Sequence, residues 1–125
     1  MKTLITQPAQ CDYKGKTKAL HDAMDILQGK WNVLIIATLC CLGPKRFTEL
    51  QRHLQGIGAK MLTRQLQVLE MNMLVKRTVC HTKPITVQYE ITPYGKSLET
   101  IVLSIMDWGQ QHRRHIMKTT PALSS

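Results

Sequence analysis

From Arg46 to Leu98 the sequence reads RFTELQRHLQGIGAKMLTRQLQVLEMNMLVKRTVCHTKPITVQYEITPYGKSL. Its hydrophobic spacing switches from a helical to a strand period and back, and this leaves few folds open. Phe47, Leu50 and Leu54 share one face of a short helix. Gly56 and Gly58 bracket Ile57 in a tight turn, where Ile57 can plug the gap between two helices. Leu62, Leu66, Leu69 and Met73 then mark the buried stripe of a second helix over about Ala59 to Met71. Val75, Arg77 and Val79 alternate with Lys76, Thr78 and Cys80 along a strand. Thr86 to Ile91 form its return, and Thr92-Pro93 supplies an N-cap and an N1 proline for a further helix.

Helix, tight turn, helix, hairpin, helix is the layout of a winged helix-turn-helix. The expected fold is therefore mainly α with a small β-hairpin wing. Charge points the same way. Residues 45–83 hold eight Lys/Arg and two acids, +6 of the chain's total of +9, an excess suited to meeting phosphates. Lys60, Thr63, Arg64 and Gln67 repeat at i, i+3, i+4, i+7 on the second helix, roughly 140° from its apolar stripe. A polar stripe alone is usually a solvated face. Here it follows a tight turn, has no acid between Glu49 and Glu70, and precedes a basic hairpin. We therefore expect it to contact DNA. Arg46 and Thr48 at the start of the first helix, Lys76 and Arg77 on the hairpin, and His81 and Lys83 at its tip complete the expected DNA-binding set, the tip reaching backbone or minor groove.

At 125 residues, with 43% hydrophobic and 20% charged residues, the chain has the composition of one folded domain. We expect an arm over 1–18, the domain over 19–118 and a tail over 119–125, with residues 1–17 extended or mobile. The longest apolar run, Val33–Leu42 with Thr38 inside it, is too short to span a membrane and reads as a central core helix from about Trp31. The N-terminal MKTLITQPAQ lacks an apolar signal core, so a cytoplasmic protein is expected. Leu20, Ala23, Met24 and Leu27 give a first amphipathic helix that stops near Gly29. The last helix, about Pro93 to Met117, is expected to bury Leu98, Ile101, Val102, Ile105 and Trp108, while Leu103 and Met106 point elsewhere. That apolar width suggests a partner, with a wide intradomain contact as the alternative, and Leu98, Ile101, Val102, Ile105 and Trp108, with Leu20 and Met24, are candidate dimerisation positions.

The four cysteines suggest neither a disulfide framework nor a zinc site. No C-x2-C is present, and Cys40-Cys41 are neighbours on a helix. In the apolar central helix both read as inert core thiols. His112 and His115 could share a metal, but two ligands without a third read better as a basic helix end. No cofactor or metal is expected. G-x-S-x-G, Walker and HExxH motifs are missing, which argues against an enzyme.

Taken together, GKW at Gly29–Trp31, GPKRFTEL at Gly43–Leu50, IGAKMLTRQLQVLE at Ile57–Glu70, VQYEITPYGKSL at Val87–Leu98 and the Trp108-Gly109 pair resemble the HxlR-type branch of MarR-like winged-helix regulators. The resemblance runs from about Cys11 to His112. It implies a homodimer joined through its terminal helices, bound to an imperfect palindrome of double-stranded DNA and often acting as a repressor. It also implies a thiol sensor of electrophiles or oxidants ahead of GKW, a position that Cys11 matches. Here Asp12 follows the cysteine, where proline is frequent, and Gln28 precedes GKW, where glycine is frequent. Lys14, Lys16 and Lys18 favour the Cys11 thiolate and Asp12 opposes it. A regulator of the same fold without thiol sensing, controlled by a small ligand or a partner, remains the alternative.

Overall fold

The computed structural model describes residues 13–81 and 83–119. Helix α1 spans Tyr13–Leu27 and α2 spans Lys30–Leu42. Gly29 separates them at φ +82°, a left-handed conformation open to glycine at little cost. Residues 13–17, expected to be extended, belong instead to α1, and the Thr17 hydroxyl donates to the Tyr13 carbonyl at 2.8 Å. Lys18, the last residue of the expected arm, lies in α1 as well, and residues 1–12 lie outside the described residues.

Helix α2 is the centre of the molecule. Ile35 and Ile36 are fully buried and Leu39 is 1% exposed. They meet Leu50, Leu54 and Ile57 from the helix-turn-helix, Leu62, Leu66 and Leu69 from its second helix, Leu74 and Val75 from the wing, and Val102 from the last helix. A helix apolar nearly all round can be satisfied only by neighbours on most sides. Asn32, at the start of α2, is the buried polar residue of this region, at 3% exposure. Its Nδ2 donates to the Ile26 carbonyl at 2.6 Å and ties the end of α1 to α2.

The wing is a three-stranded antiparallel sheet in the order β1-β3-β2, not the expected hairpin alone. Strand β1 is Lys45–Arg46, paired as Lys45 opposite Tyr89 and Arg46 opposite Gln88. Strands β2 (Val75–Cys80) and β3 (Thr86–Ile91) pair from Val75 opposite Ile91 to Cys80 opposite Thr86. Two residues carry no readable period, so β1 was invisible in the sequence.

Helix α3 covers Phe47–His53 and α4 covers Ala59–Met71. Met73, expected on the α4 stripe, is 69% exposed at φ +63°, and Leu74 takes the buried place at 3%. The chain leaves α4 through a left-handed residue, with Met73 N–H on the Glu70 carbonyl at 2.9 Å and Leu74 N–H on the Leu69 carbonyl at 3.0 Å. This C-cap geometry shifts the inward direction by one residue.

Thr92 staples the last helix to that turn. Its hydroxyl donates to the Met73 carbonyl at 2.7 Å and accepts the Gly95 N–H at 2.8 Å, the expected N-cap role. The first turn, Gly95–Leu98, is a 3-10 helix, and α5 follows over Glu99–Thr119. Gly95 packs so closely that a Cβ there would collide with the Leu74 carbonyl and lie 2.9 Å from Ile91 Cγ1. Only glycine fits.

Leu98 in the 3-10 turn is half-buried and Val102 of α5 is buried, but Ile101, Ile105 and Trp108 are exposed. The expectation that the protomer buries these three is corrected. At about 1.5 Å per residue, 21 helical residues span about 32 Å, more than the small core can cover. Trp108 stacks on His112 with ring centroids 5.0 Å apart. No single described helix is long and apolar enough to cross a membrane.

Candidate nucleic-acid interface

Helix α4 is amphipathic. Leu62, Leu66 and Leu69 are at most 1% exposed, while Lys60, Thr63, Arg64 and Gln67 all face outward. Gly58, Ala59 and Met61 join those four in lining one open groove along the helix. The opening residues were missed in the sequence, although the glycine before the helix was the available signal. Gly58 is the N-cap and contributes no side-chain hydrogen bond. The first-turn N–H groups of α4 therefore lack a side-chain cap, and uncapped N–H groups at the positive end of a helix dipole attract anions.

Arg46 and Thr48 are exposed at the start of α3. The Glu49 carboxylate accepts the Arg46 backbone N–H at 2.8 Å and lies 3.7 Å from the Arg46 Nε. That backbone hydrogen bond, aided by the nearby Arg46, Lys45 and Arg52 charges, holds the Glu49 carboxyl below its ordinary range. Glu49 thus stays ionised, and its negative charge fixes the first turn of α3. A lone acid among cations here has a structural task.

On the wing, Lys76, Arg77, His81 and Lys83 are exposed. Directly paired residues of an antiparallel ladder share a face. Arg77 therefore lies on the side of Tyr89 and Val75, and Lys76 on the side of Glu90 and Gln88. The two cations do not act as one patch, and Glu90 offsets Lys76. The sequence reading separated the two faces but did not bring Glu90 opposite Lys76, because strand register was needed. All ten candidate DNA-contacting residues are exposed, and four of them share the open face of α4.

The cysteines divide by environment. Cys40 is half-buried, and burial pushes its thiol up, reinforced by the Glu99 carboxylate and Cys41 and opposed by Lys96. It is a poor nucleophile at neutral pH. Cys41 is exposed rather than in the core, because α2 emerges from its neighbours there and Leu42 is 52% exposed. Cys80 is half-buried on β2. Cys11 lies outside the described residues.

A short helix, a tight turn, a second helix with an open polar face and a β-wing define the winged helix-turn-helix class. Residues 26–117 match the family model of the HxlR-like helix-turn-helix proteins, and the chain belongs to that family. It is 39% identical over 90 residues to the uncharacterized HTH-type transcriptional regulator YybR of Bacillus subtilis (strain 168), covering 72% of this chain and 71% of the relative. Among solved structures, the redox regulator HypR in its oxidized form superposes with a TM-score of 0.71 at 36% identity, covering 74% of this chain and 95% of that one. The reduced form of the transcriptional regulator YodB from B. subtilis gives 0.67 at 35% identity, covering 74% and 90%. The chain is a transcriptional regulator of the HxlR/MarR type.

Proposed function

We propose that the protein is a cytoplasmic, homodimeric repressor that reads a pseudo-palindromic operator. The observation that carries this reading is the four-residue polar face of α4, exposed and set opposite a fully buried stripe. Helix α4 enters the major groove. Arg64 reads a base edge, Thr63 and Gln67 flank it, and Lys60, near the uncapped helix start, meets phosphate. Arg46 and Thr48 touch the backbone beside it, and the wing cations reach the flanking strand through Arg77, His81 and Lys83.

Dimerisation runs through α1 and α5. Leu20 and Met24 are half-exposed, as are Ile101 and Ile105, and Trp108 is 64% exposed. Such apolar faces on the two terminal helices need a cover, and an isologous contact between copies supplies it. The two α4 helices then address successive major grooves about 34 Å apart.

Cys11 is proposed as the sensor, its oxidation or alkylation by a small oxidant or electrophile loosening the dimer's grip on DNA. The support is the similarity to a protein described as a redox regulator, with Cys40 held unreactive by burial.

Fluorescence anisotropy on the DNA upstream of the protein's own gene tests the groove assignment. Arg64→Ala should lose about 1–3 kcal/mol of discrimination against mismatched sites while keeping its fold. Lys60→Ala should weaken all sequences alike and flatten the salt dependence. Wild-type affinity in both variants defeats the assignment. Diamide treatment of wild type and Cys11→Ser tests the sensor, whose loss of DNA on oxidation should vanish in the variant.

A further inference from the structure

Where the end of α1 meets α4 there is a recess of about 210 Å³, lined by Asp25, Gln28, Asn32, Met61, Arg64, Gln65 and Val68. It is far larger than the roughly 30 Å³ of a single water, and smaller than the 300–1,000 Å³ or so of sites for drug-sized ligands. Its wall is chemically mixed. Asp25 and Arg64 bring opposite charges to one recess, yet they do not form an ion pair with each other. Asn32 is 3% exposed, and its Oδ1 has no hydrogen-bond partner, although its Nδ2 is engaged by Ile26. Gln65 spends its Nε2 on the sulfur of Met61 at 3.5 Å, a weak acceptor easily given up. A buried acceptor left without a donor is uncommon in folded proteins and calls for an explanation.

Arg64 lines both this recess and the open groove of α4. We propose that the recess is an effector site for a small zwitterion of amino-acid size, whose carboxylate engages Arg64 and so withdraws it from DNA. The ligand's ammonium group meets the Asp25 carboxylate and supplies the missing donor to Asn32. Its carboxylate takes the Arg64 guanidinium, with Gln28 and Gln65 as further polar contacts and Met61 and Val68 around its aliphatic carbons. Charge on both walls selects against simple anions, which Asp25 repels, and against simple amines, which Arg64 repels. Because one guanidinium cannot serve the ligand and a base edge at once, occupancy weakens operator binding and operator binding weakens occupancy, a reciprocal coupling of two sites. This rests on the DNA-reading role of α4 but not on thiol sensing.

The test titrates 15N-labelled full-length protein with each standard L-amino acid at millimolar concentration. It follows the Asn32 side-chain amide signals without DNA, and separately the anisotropy of labelled upstream DNA. At least one amino acid should shift the Asn32 signals and weaken DNA binding by about tenfold, a coupling of ordinary allosteric size. Asp25→Asn should keep ligand-free DNA affinity and lose both responses. Acetate and methylamine, each carrying half of the zwitterion, should do neither. No Asn32 shift with any amino acid overturns the proposal, as does an undiminished response in Asp25→Asn or an equal response to acetate alone. Asn32 shifts in a protein that shows no salt-dependent DNA binding support the site and overturn the DNA-reading role instead, so the two failures are distinguishable.

Discussion

Helices α4 and α5 carry apolar stripes of similar quality, and the fold treats them in opposite ways. In α4, Leu62, Leu66 and Leu69 are sealed to 1% exposure or less, and the outward stripe of Lys60, Thr63, Arg64 and Gln67 is polar. In α5, Val102 is sealed at 2%, but Ile101 and Ile105 remain 48% exposed. Helix α4 lies across α2 and the wing, whereas α5 touches the core through its beginning and runs on beyond it. The lesson is that periodicity establishes that a stripe will be covered without saying by what. In α4 the cover is the protomer's own core, which leaves the opposite face free for a ligand as large as DNA. In α5 the protomer leaves Ile101 and Ile105 open, and the proposed partner copy would cover them.

Substitutions can break that contrast. The largest effect is expected for Leu66→Ala, which leaves a cavity at the centre of the protomer and should cost about 2–5 kcal/mol in chemical denaturation. A loss below about 1 kcal/mol would mean that α4 is not packed as described. Ile105→Asp places a charge on the open stripe. The folded protomer should survive with near-native circular dichroism, while the dimer dissociates by about 100-fold more readily in sedimentation, or about 2.7 kcal/mol. If the charged variant stays fully dimeric, α5 is not the interface.

Gly95→Ala probes the joint between the two helices, where a methyl group would collide with the Leu74 carbonyl. Overpacking of this kind costs about 1–3 kcal/mol, read as a lowered denaturation midpoint. Met73→Gly works in the other direction. Met73 occupies a left-handed conformation at φ +63° with its side chain exposed. Glycine there should stabilise by up to about 1 kcal/mol, because relief of the steric penalty slightly exceeds the added unfolded-state entropy. An unchanged or lower midpoint would show that the exposed Met73 side chain contributes packing elsewhere, as it would in a dimer.

Much of the candidate interface was legible because it is built on local spacing. The α4 polar stripe, its buried counterpart, the Gly56–Gly58 turn with Ile57 at 6% exposure, and the Thr92 cap each involve residues a few positions apart. The misreadings have a common cause. Strand β1 pairs Lys45 with Tyr89, the place of Glu90 opposite Lys76 depends on register, and the exchange of Met73 for Leu74 depends on how the chain leaves a helix. The recess beside Arg64 joins residues from Asp25 to Val68, and no period links them.

The sequence by itself determined the order of the helices and of the wing hairpin, the identity of the central helix and the polar face of α4, because helical and strand periods are properties of neighbouring residues. Only the tertiary structure decided which apolar stripes are closed and which stay open, why position 95 tolerates nothing beyond glycine, and that Arg64 stands between a groove and a polar recess. Those depend on which distant segments arrive at the same place. Coverage, register and close approach are contacts between elements, and contacts between elements have no signature in local spacing.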